Sequence, residues 1–326
     1  MLQKSSRWLR IIGLLLLAFL LWKIDLRRML TVLKQADPFL VAIAVALNLP
    51  QIGLKAIRWR RLLASQNISY PVSSALLAYF GSIFIGLLTP GRLGEFIKTW
   101  HVHHDCGVPK MRAFSSVLAD RLFDLYALLL FGGAALLSKT VGHQQASLLG
   151  FAGSAVILVL PLLLFLHDGL FETIKAMGKR LGKLGTKLFA DESWLLNLRT
   201  GLKDLSTAAI LGSTAITVGA YALFFLQCHL LALAVNLNAG FLQTSFAVAL
   251  GSLITLLPIS ISGLGTREAA IMAYLGSVGV SSEASLGYSL LVFATFYVAG
   301  ALFGMVAWWI KPVSWNTVRQ IEQDTE

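Results

Sequence analysis

Apolar residues run along this chain in long blocks separated by short polar breaks. The blocks fall near Trp8–Trp22, Pro38–Lys55, Val72–Thr89, Ala113–Leu137, Ala146–Leu166, Thr207–Val235, Phe241–Pro258, Glu268–Val278 and Ala284–Ile310. Continuous apolar runs of this length predict membrane helices, because about 20 residues span a bilayer. Two blocks do not fit a simple crossing. Glu268–Val278 is too short, and Val72–Thr89 runs straight into a breaker cluster whose helical continuation, Gly94–Trp100, is also short. Two further segments, 23–36 and 167–206, have an interfacial pattern. In the first, Ile24, Leu26, Met29, Leu30 and Leu33 oppose Arg27, Arg28 and Lys34. In the second, Leu170, Ile174, Met177, Leu181, Leu184 and Leu188 recur at helical spacing, with Lys175, Lys179, Lys183 and Lys187 on another face. Such helices suit an anionic membrane surface, although Gly178, Gly182 and Gly185 weaken the second, which reads equally as a solvated linker.

The breaker clusters form a pair. "LLTPGRLGE" holds Pro90, Gly91, Arg92, Gly94 and Glu95, and "LLPISISGLGTREAA" holds Pro258, Gly263, Gly265, Arg267 and Glu268. Irregular backbone at membrane depth is tolerated only where protein buries it or a wet cavity receives it. Each cluster therefore reads either as an interfacial loop or as the tip of a re-entrant hairpin. In the second reading, the helix that starts after each break aims its N-terminal amides at a cavity. Glu95, three residues beyond Arg92, can pair with it. Neighbouring residues on a helix diverge, so Arg267 and Glu268 are expected to seek separate partners, with Glu95, Asp120 and Asp124 as candidates for Arg267. A third charged stretch, "LADRLFDLY", places Asp120, Arg121 and Asp124 inside an apolar block. Intramembrane charges mark either a helix-binding ion pair or a functional path.

Composition agrees with the apolar pattern. Of 326 residues, 56% are hydrophobic and 13% charged, against about 25% charged in soluble domains, so this reads as one polytopic membrane domain over 1–326. The net charge of +11 sits in short loops, which points to topology and anionic lipid, not nucleic acid. If Val72–Trp100 and Phe241–Val278 are hairpins from opposite sides, 18 basic residues fall on one face and 5 on the other. The positive-inside rule then makes the first face, with both termini, cytoplasmic. The fold expected is an all-α polytopic membrane protein with about six full spans and two oppositely oriented re-entrant hairpins, resembling an inverted repeat. Eight or nine ordinary spans fit the hydropathy nearly as well.

Other polar residues carry weaker signals. His101, His103, His104, Asp105 and Cys106 are too crowded for an ordinary metal site. Asn48, Gln51 and Lys55 share a face of one block, and Gln227 and His229 lie in another, where interhelical hydrogen bonding is the expected role. Gly300 and Gly304 form a packing motif. Nucleotide-binding and hydrolase motifs are absent, so no cofactor, no metal and no enzymatic activity are expected.

In their order and spacing, "LLTPGRLGE", "DRLFDL" and "LLPISISGLGTREAA" resemble the lysylphosphatidylglycerol synthase transmembrane region, a flippase-like family. The resemblance covers the chain from its first span to Ile310, and it is to the stand-alone type. In two-part members this region moves an aminoacylated phospholipid made by a separate cytosolic domain; other members are fused to polyprenyl-sugar transferases. The resemblance implies a lipid translocase of a bacterial inner membrane, moving an anionic phospholipid or a polyprenyl-phosphate-linked lipid. Arg92, Arg121 and Arg267 would hold the headgroup, and Glu95, Asp120, Asp124 and Glu268 would balance charge or carry protons. Membrane lipids, and a lipid-synthesis enzyme, are the expected partners. The alternatives are a membrane-embedded lipid-modifying transferase and a non-transporting partner of such an enzyme.

Overall fold

A computed structural model describes residues 26–89, 91–140, 192–257, 260 and 262–311. The predicted blocks Trp8–Trp22 and Ala146–Leu166, the basic stretch 167–191 and both breaker prolines, Pro90 and Pro258, lie outside the described residues. Every described element is helical. In chain order they are α1 (Leu26–Lys34), α2 (Pro38–Ala46), α3 (Asn48–Ser65), α4 (Val72–Leu87), a 3₁₀ segment (Leu93–Ile97), α5 (Lys98–Cys106), α6 (Lys110–Thr140), α7 (Glu192–Lys203), α8 (Thr207–Ala234), α9 (Phe241–Thr255), α10 (Thr266–Gly276), α11 (Ser282–Val292), a π-helical segment (Phe293–Val298) and α12 (Ala299–Ile310).

Among the described residues, three helical stretches are long and apolar enough to cross a membrane: Pro38–Ser65, Thr207–Ala234 and Ser282–Ile310. The apolar helices α4 and α9 are shorter. Local chemistry sets several of the boundaries. Asp37 accepts hydrogen bonds from the Phe39 and Leu40 amides, with Pro38 at the first helical position, an N-cap that serves amides otherwise left without partners. Ser206 and Ser281 cap α8 and α11 in the same way, through the amides of Ala209 and Ala284. The break at Leu47 precedes Pro50, which stands in the first turn of α3, where its missing N–H costs little.

Beyond Pro50 nothing interrupts α3 before Ser65. This corrects the expected end of that block at Lys55. Lys55 and Arg58 lie inside a helix, not in a loop, and drop out of the 18 charges counted for the basic face.

Two apolar clusters organise the interior. One gathers Ile52, Trp59, Tyr79, Val102 and Val117 from α3, α4, α5 and α6. The other gathers Phe224, Phe225, Leu231, Val248, Ile271, Leu275 and Tyr288 from α8 to α11. Helix α12 lies along α4, and Gly304 is what lets it approach: a Cβ there would meet the Phe80 carbonyl. Of the expected packing pair, Gly304 makes the close approach, while a Cβ at Gly300 would stand 3.9 Å from Ile52 and Ile83, at ordinary contact.

Both breaker segments share one build. A helix of 15 or 16 residues ends, the backbone passes through left-handed angles, and a shorter helix of 9 to 11 residues follows. In the first, Gly91 and Arg92 have φ of 58° and 57°; in the second, Ser262, Gly263 and Gly265 have 48°, 77° and 81°. Such angles favour glycine. The two segments touch each other, because the Ser262 hydroxyl donates to the Leu87 carbonyl at 2.7 Å.

Candidate functional site: a buried ion network beside the two breaks

The charges of α3, α5, α6 and the 3₁₀ segment form one connected network. Helix α6 contributes Asp120, Arg121 and Asp124; the 3₁₀ segment contributes Glu95; α5 contributes Lys98; and α3 contributes Lys55 and Arg58. Arg58 is fully buried. Its Nε and Nη2 donate to Asp120 Oδ1 at 2.9 and 2.7 Å, Nη2 also reaches Asp124 Oδ1 at 3.0 Å, and Nη1 donates to the Thr217 hydroxyl at 2.9 Å. Lys98 Nζ sits 2.9 Å from Asp120 Oδ2 and 3.7 Å from the centre of the Tyr79 ring. The Tyr79 hydroxyl donates to the same carboxylate oxygen at 3.0 Å. Lys55 Nζ pairs with Asp124 at 3.1 Å and lies over the Tyr221 ring.

Glu95 bridges two arginines. It pairs closely with Arg121, while Arg92 Nε lies 2.6 Å from Glu95 Oε1. That second contact is close but off-line, and Oε1 has no properly formed hydrogen bond. Arg121 also approaches Asp120 and Asp124, each at 3.8 Å. Room for Glu95 comes from Gly86 on α4, where a Cβ would strike the glutamate side chain. Gly251 on α9 makes the corresponding room for Arg267.

The second break holds Arg267 and Glu268, both buried. Glu268 accepts from the Gly265 amide at 2.6 Å and pairs with Arg267. This corrects the expectation of separate partners. Glu268 folds back to cap its own helix, and the long arginine side chain turns to meet it there; among the described residues no ion pair joins Arg267 to Glu95, Asp120 or Asp124. The Nε and Nη1 of Arg267 have no partner. The guanidinium instead lies over the rings of Phe293 and Tyr297, at 4.6 and 4.8 Å, and Arg92 lies over the same Tyr297 ring at 5.3 Å. Both rings belong to the π-helical segment, a widened turn of a kind that recurs at functional sites. Tyr297 therefore links the arginines of the two breaks.

The helix-terminus expectation also needs correction. After the first break the chain begins as a five-residue 3₁₀ turn whose Gly94 amide is already taken by the Thr89 hydroxyl at 2.7 Å. In the second, Glu268 occupies the Gly265 amide. Side chains, not free amides, face the cavity. Gln51, Ile52, Lys55, Tyr79, Ile83, Arg92, Glu95, Arg121, Asp124 and Phe296 line that cavity, whose volume is about 30 Å³, room for two or three waters at about 10–15 Å³ each.

The network brings together Arg92, Arg121, Glu95, Asp120 and Asp124, with Arg267 and Glu268 adjoining through Tyr297. Sequence reasoning missed Arg58, Lys98, Tyr79 and Tyr297. The signal for Arg58 was present: Gln51, Lys55 and Arg58 follow helical spacing on one face of α3. The remaining polar residues bond between helices or at the surface. Asn48 donates to the Thr295 carbonyl at 2.8 Å, and Gln227 to the Ala44 carbonyl at 2.6 Å. Asp105 pairs with Lys311.

Residues 9–304 match the family model described as the lysylphosphatidylglycerol synthase TM region. The chain belongs to that family. All three polar motifs of the network lie within the matched stretch, and with its apolar helices the chain is a multi-pass membrane protein. Within the curated proteins, a UPF0104 membrane protein of Pyrococcus horikoshii is 29% identical over 157 residues, 47% of this chain and 47% of that protein. Glycosyltransferase AglD of Haloferax volcanii is 24% identical over 317 residues, 86% of this chain and 50% of that protein. A UPF0104 membrane protein of Methanothermobacter thermautotrophicus is 24% identical over 306 residues, 85% of each chain. The match thus spans about half the length of the first two relatives. The relative named a glycosyltransferase overturns the expectation that enzymatic activity is excluded for this lysylphosphatidylglycerol synthase TM region protein.

Proposed function

We propose that this chain binds the phosphate headgroup of an anionic membrane lipid in the Arg92–Arg121–Lys55 cavity and carries that lipid between leaflets. The observation that supports this reading best is the sharing of Glu95. One carboxylate serves two arginines at the cavity wall, and its contact with Arg92 is poorly formed. A phosphate oxygen can take over Arg92, and guanidinium groups suit phosphate. Glu95 would keep Arg121, so neither buried charge is stranded when the lipid binds or leaves. The cavity is too small for a phosphate headgroup as it stands, so access requires α4 and the 3₁₀ segment to part from α3 and α6. In this reading α4–α5 and α9–α10 are re-entrant hairpins that meet at Ser262 and Leu87. Rocking one half of the molecule against the other would alternate access.

The test is leaflet exchange of a labelled anionic phospholipid in vesicles containing purified protein. Arg92→Gln should slow exchange at least about tenfold, roughly the effect of 1.4 kcal/mol, and leave the fold intact. Equal rates in wild type and variant would refute the reading.

The match to AglD supports a second reading, in which the same cavity presents a lipid phosphate to a sugar-transfer reaction. Purified chain incubated with polyprenyl phosphate and nucleotide-sugar donors separates the two. A glycosylated lipid favours transfer, and leaflet exchange without covalent change favours translocation.

A further inference from the structure

The ion network is unbalanced. Among the described residues, five cations, Lys55, Arg58, Arg92, Lys98 and Arg121, share three carboxylates, Glu95, Asp120 and Asp124, while Arg267 and Glu268 cancel each other. Arginine does not give up its proton in proteins. Each lysine lies against a carboxylate and an aromatic face, Lys98 against Asp120 and Tyr79, Lys55 against Asp124 and Tyr221, the partners that suit an ammonium group. The formal excess is thus two positive charges, enclosed where water is scarce. Unbalanced charge in such surroundings is expensive, and a bound anion of matching charge removes the expense.

Building on the proposed phosphate site, we propose that the ligand is a lipid phosphomonoester, whose headgroup carries close to two negative charges, and not a phosphodiester, which carries one. A monoester has a charge of about −1.5 to −2 at neutral pH. It also offers three terminal oxygens, enough to engage Arg92, Arg121 and Lys55 together. The lipid source follows from the surroundings of the two breaks. Leu88 and Leu93 are 60% and 58% exposed on either side of the first, and Leu257 is 50% exposed at the second. Apolar side chains standing outside a phosphate site provide a place for hydrocarbon tails and give a soluble phosphate nothing to bind.

The experiment is native mass spectrometry of the purified full chain in detergent. Its probes are phosphatidic acid, phosphatidylglycerol and diacylglycerol with identical acyl chains, and inorganic phosphate alone. Phosphatidic acid should bind at least about tenfold more tightly than phosphatidylglycerol, because one further charge pair in low dielectric is worth well over 1.4 kcal/mol. Lys55→Gln, which leaves Asp124 with Arg58 and Arg121, should remove most of that preference. Equal binding of the two phospholipids, both above diacylglycerol, would overturn the monoester inference and leave the phosphate site standing. Binding of neither above diacylglycerol would overturn both. Inorganic phosphate binding as tightly as phosphatidic acid would overturn the lipid assignment. An unchanged preference in Lys55→Gln would show that the excess charge is not the selector.

Discussion

Arg58 and Arg92 belong to one network, yet their removal should have opposite consequences. Arg58 is fully enclosed and supplies two hydrogen bonds to the Asp120 carboxylate, one to the Asp120 carbonyl, one to Asp124 and one to Thr217. Arg58→Met would strip Asp124 of its nearest guanidinium and leave Asp120 with Lys98, Tyr79 and the more distant Arg121. Breaking a buried pair from one side costs about 3–5 kcal/mol. Arg92 is 17% exposed in its side chain, and Glu95 retains Arg121 when it is gone. Arg92→Gln should therefore cost about 1 kcal/mol or less, the net value of one hydrogen bond. Equilibrium unfolding in mixed dodecyl maltoside and dodecyl sulfate micelles measures both. Arg58→Met should lose stability by several kcal/mol, and Arg92→Gln should stay near wild type while failing in lipid exchange. Arg58→Met within about 1 kcal/mol of wild type would refute the reasoning, since an arginine that can be lost so cheaply is not what holds the two aspartates ionised.

Three further outcomes follow from the geometry. Gly304→Ala should lower stability by about 1–3 kcal/mol, the usual penalty of overpacking, because its Cβ meets the Phe80 carbonyl where α12 crosses α4; an unchanged melt would contradict that contact. Gly265→Ala, at φ of 81°, should cost more than about 1 kcal/mol from backbone strain alone, read in the same melts, and a neutral substitution would show that the break can adopt other angles. At the surface, burial alone would raise the Asp105 carboxyl, but hydrogen bonds from Lys311 and Tyr70 outweigh it and hold the group below the ordinary carboxylate range. A depressed carboxylate stabilises the fold above its unfolded value, about 3.9, and loses that contribution as pH falls through the folded value. The difference in melting temperature between wild type and Asp105→Asn should thus be full at neutral pH and begin to close below about pH 4; a difference independent of pH would exclude the ion pair as its source.

Much of the architecture was legible because hydropathy is a strong signal in a lipid-embedded chain. The observed helices α6, α8, α9 and α10 lie within a few residues of the predicted blocks, and the intramembrane charges of α6 were visible as anomalies. What escaped was the set of residues whose meaning depends on where a helix ends. Arg58 stands beside Arg60 and Arg61, and a basic run after an apolar block reads as a loop; only the continuation of α3 to Ser65 turns it inward. Tyr79 and Tyr297 sit among other apolar residues and give no polar pattern. The Arg267–Glu268 pair was misread because spacing rules describe regular helix faces, while these residues stand in the first turn, where Glu268 bends back to the Gly265 amide. Local backbone geometry decided both cases, and periodicity does not report it.

The central claim is that the cavity formed by Arg92, Arg121 and Lys55 holds a lipid phosphate. The direct measurement is the phospholipid content of protein purified from its membrane, determined by mass spectrometry for wild type, Arg92→Gln and Lys55→Gln. The account predicts a phosphate-bearing lipid retained by the wild type and depleted in both variants, with the helical content unchanged. The same lipid retained in equal amount by all three would contradict it.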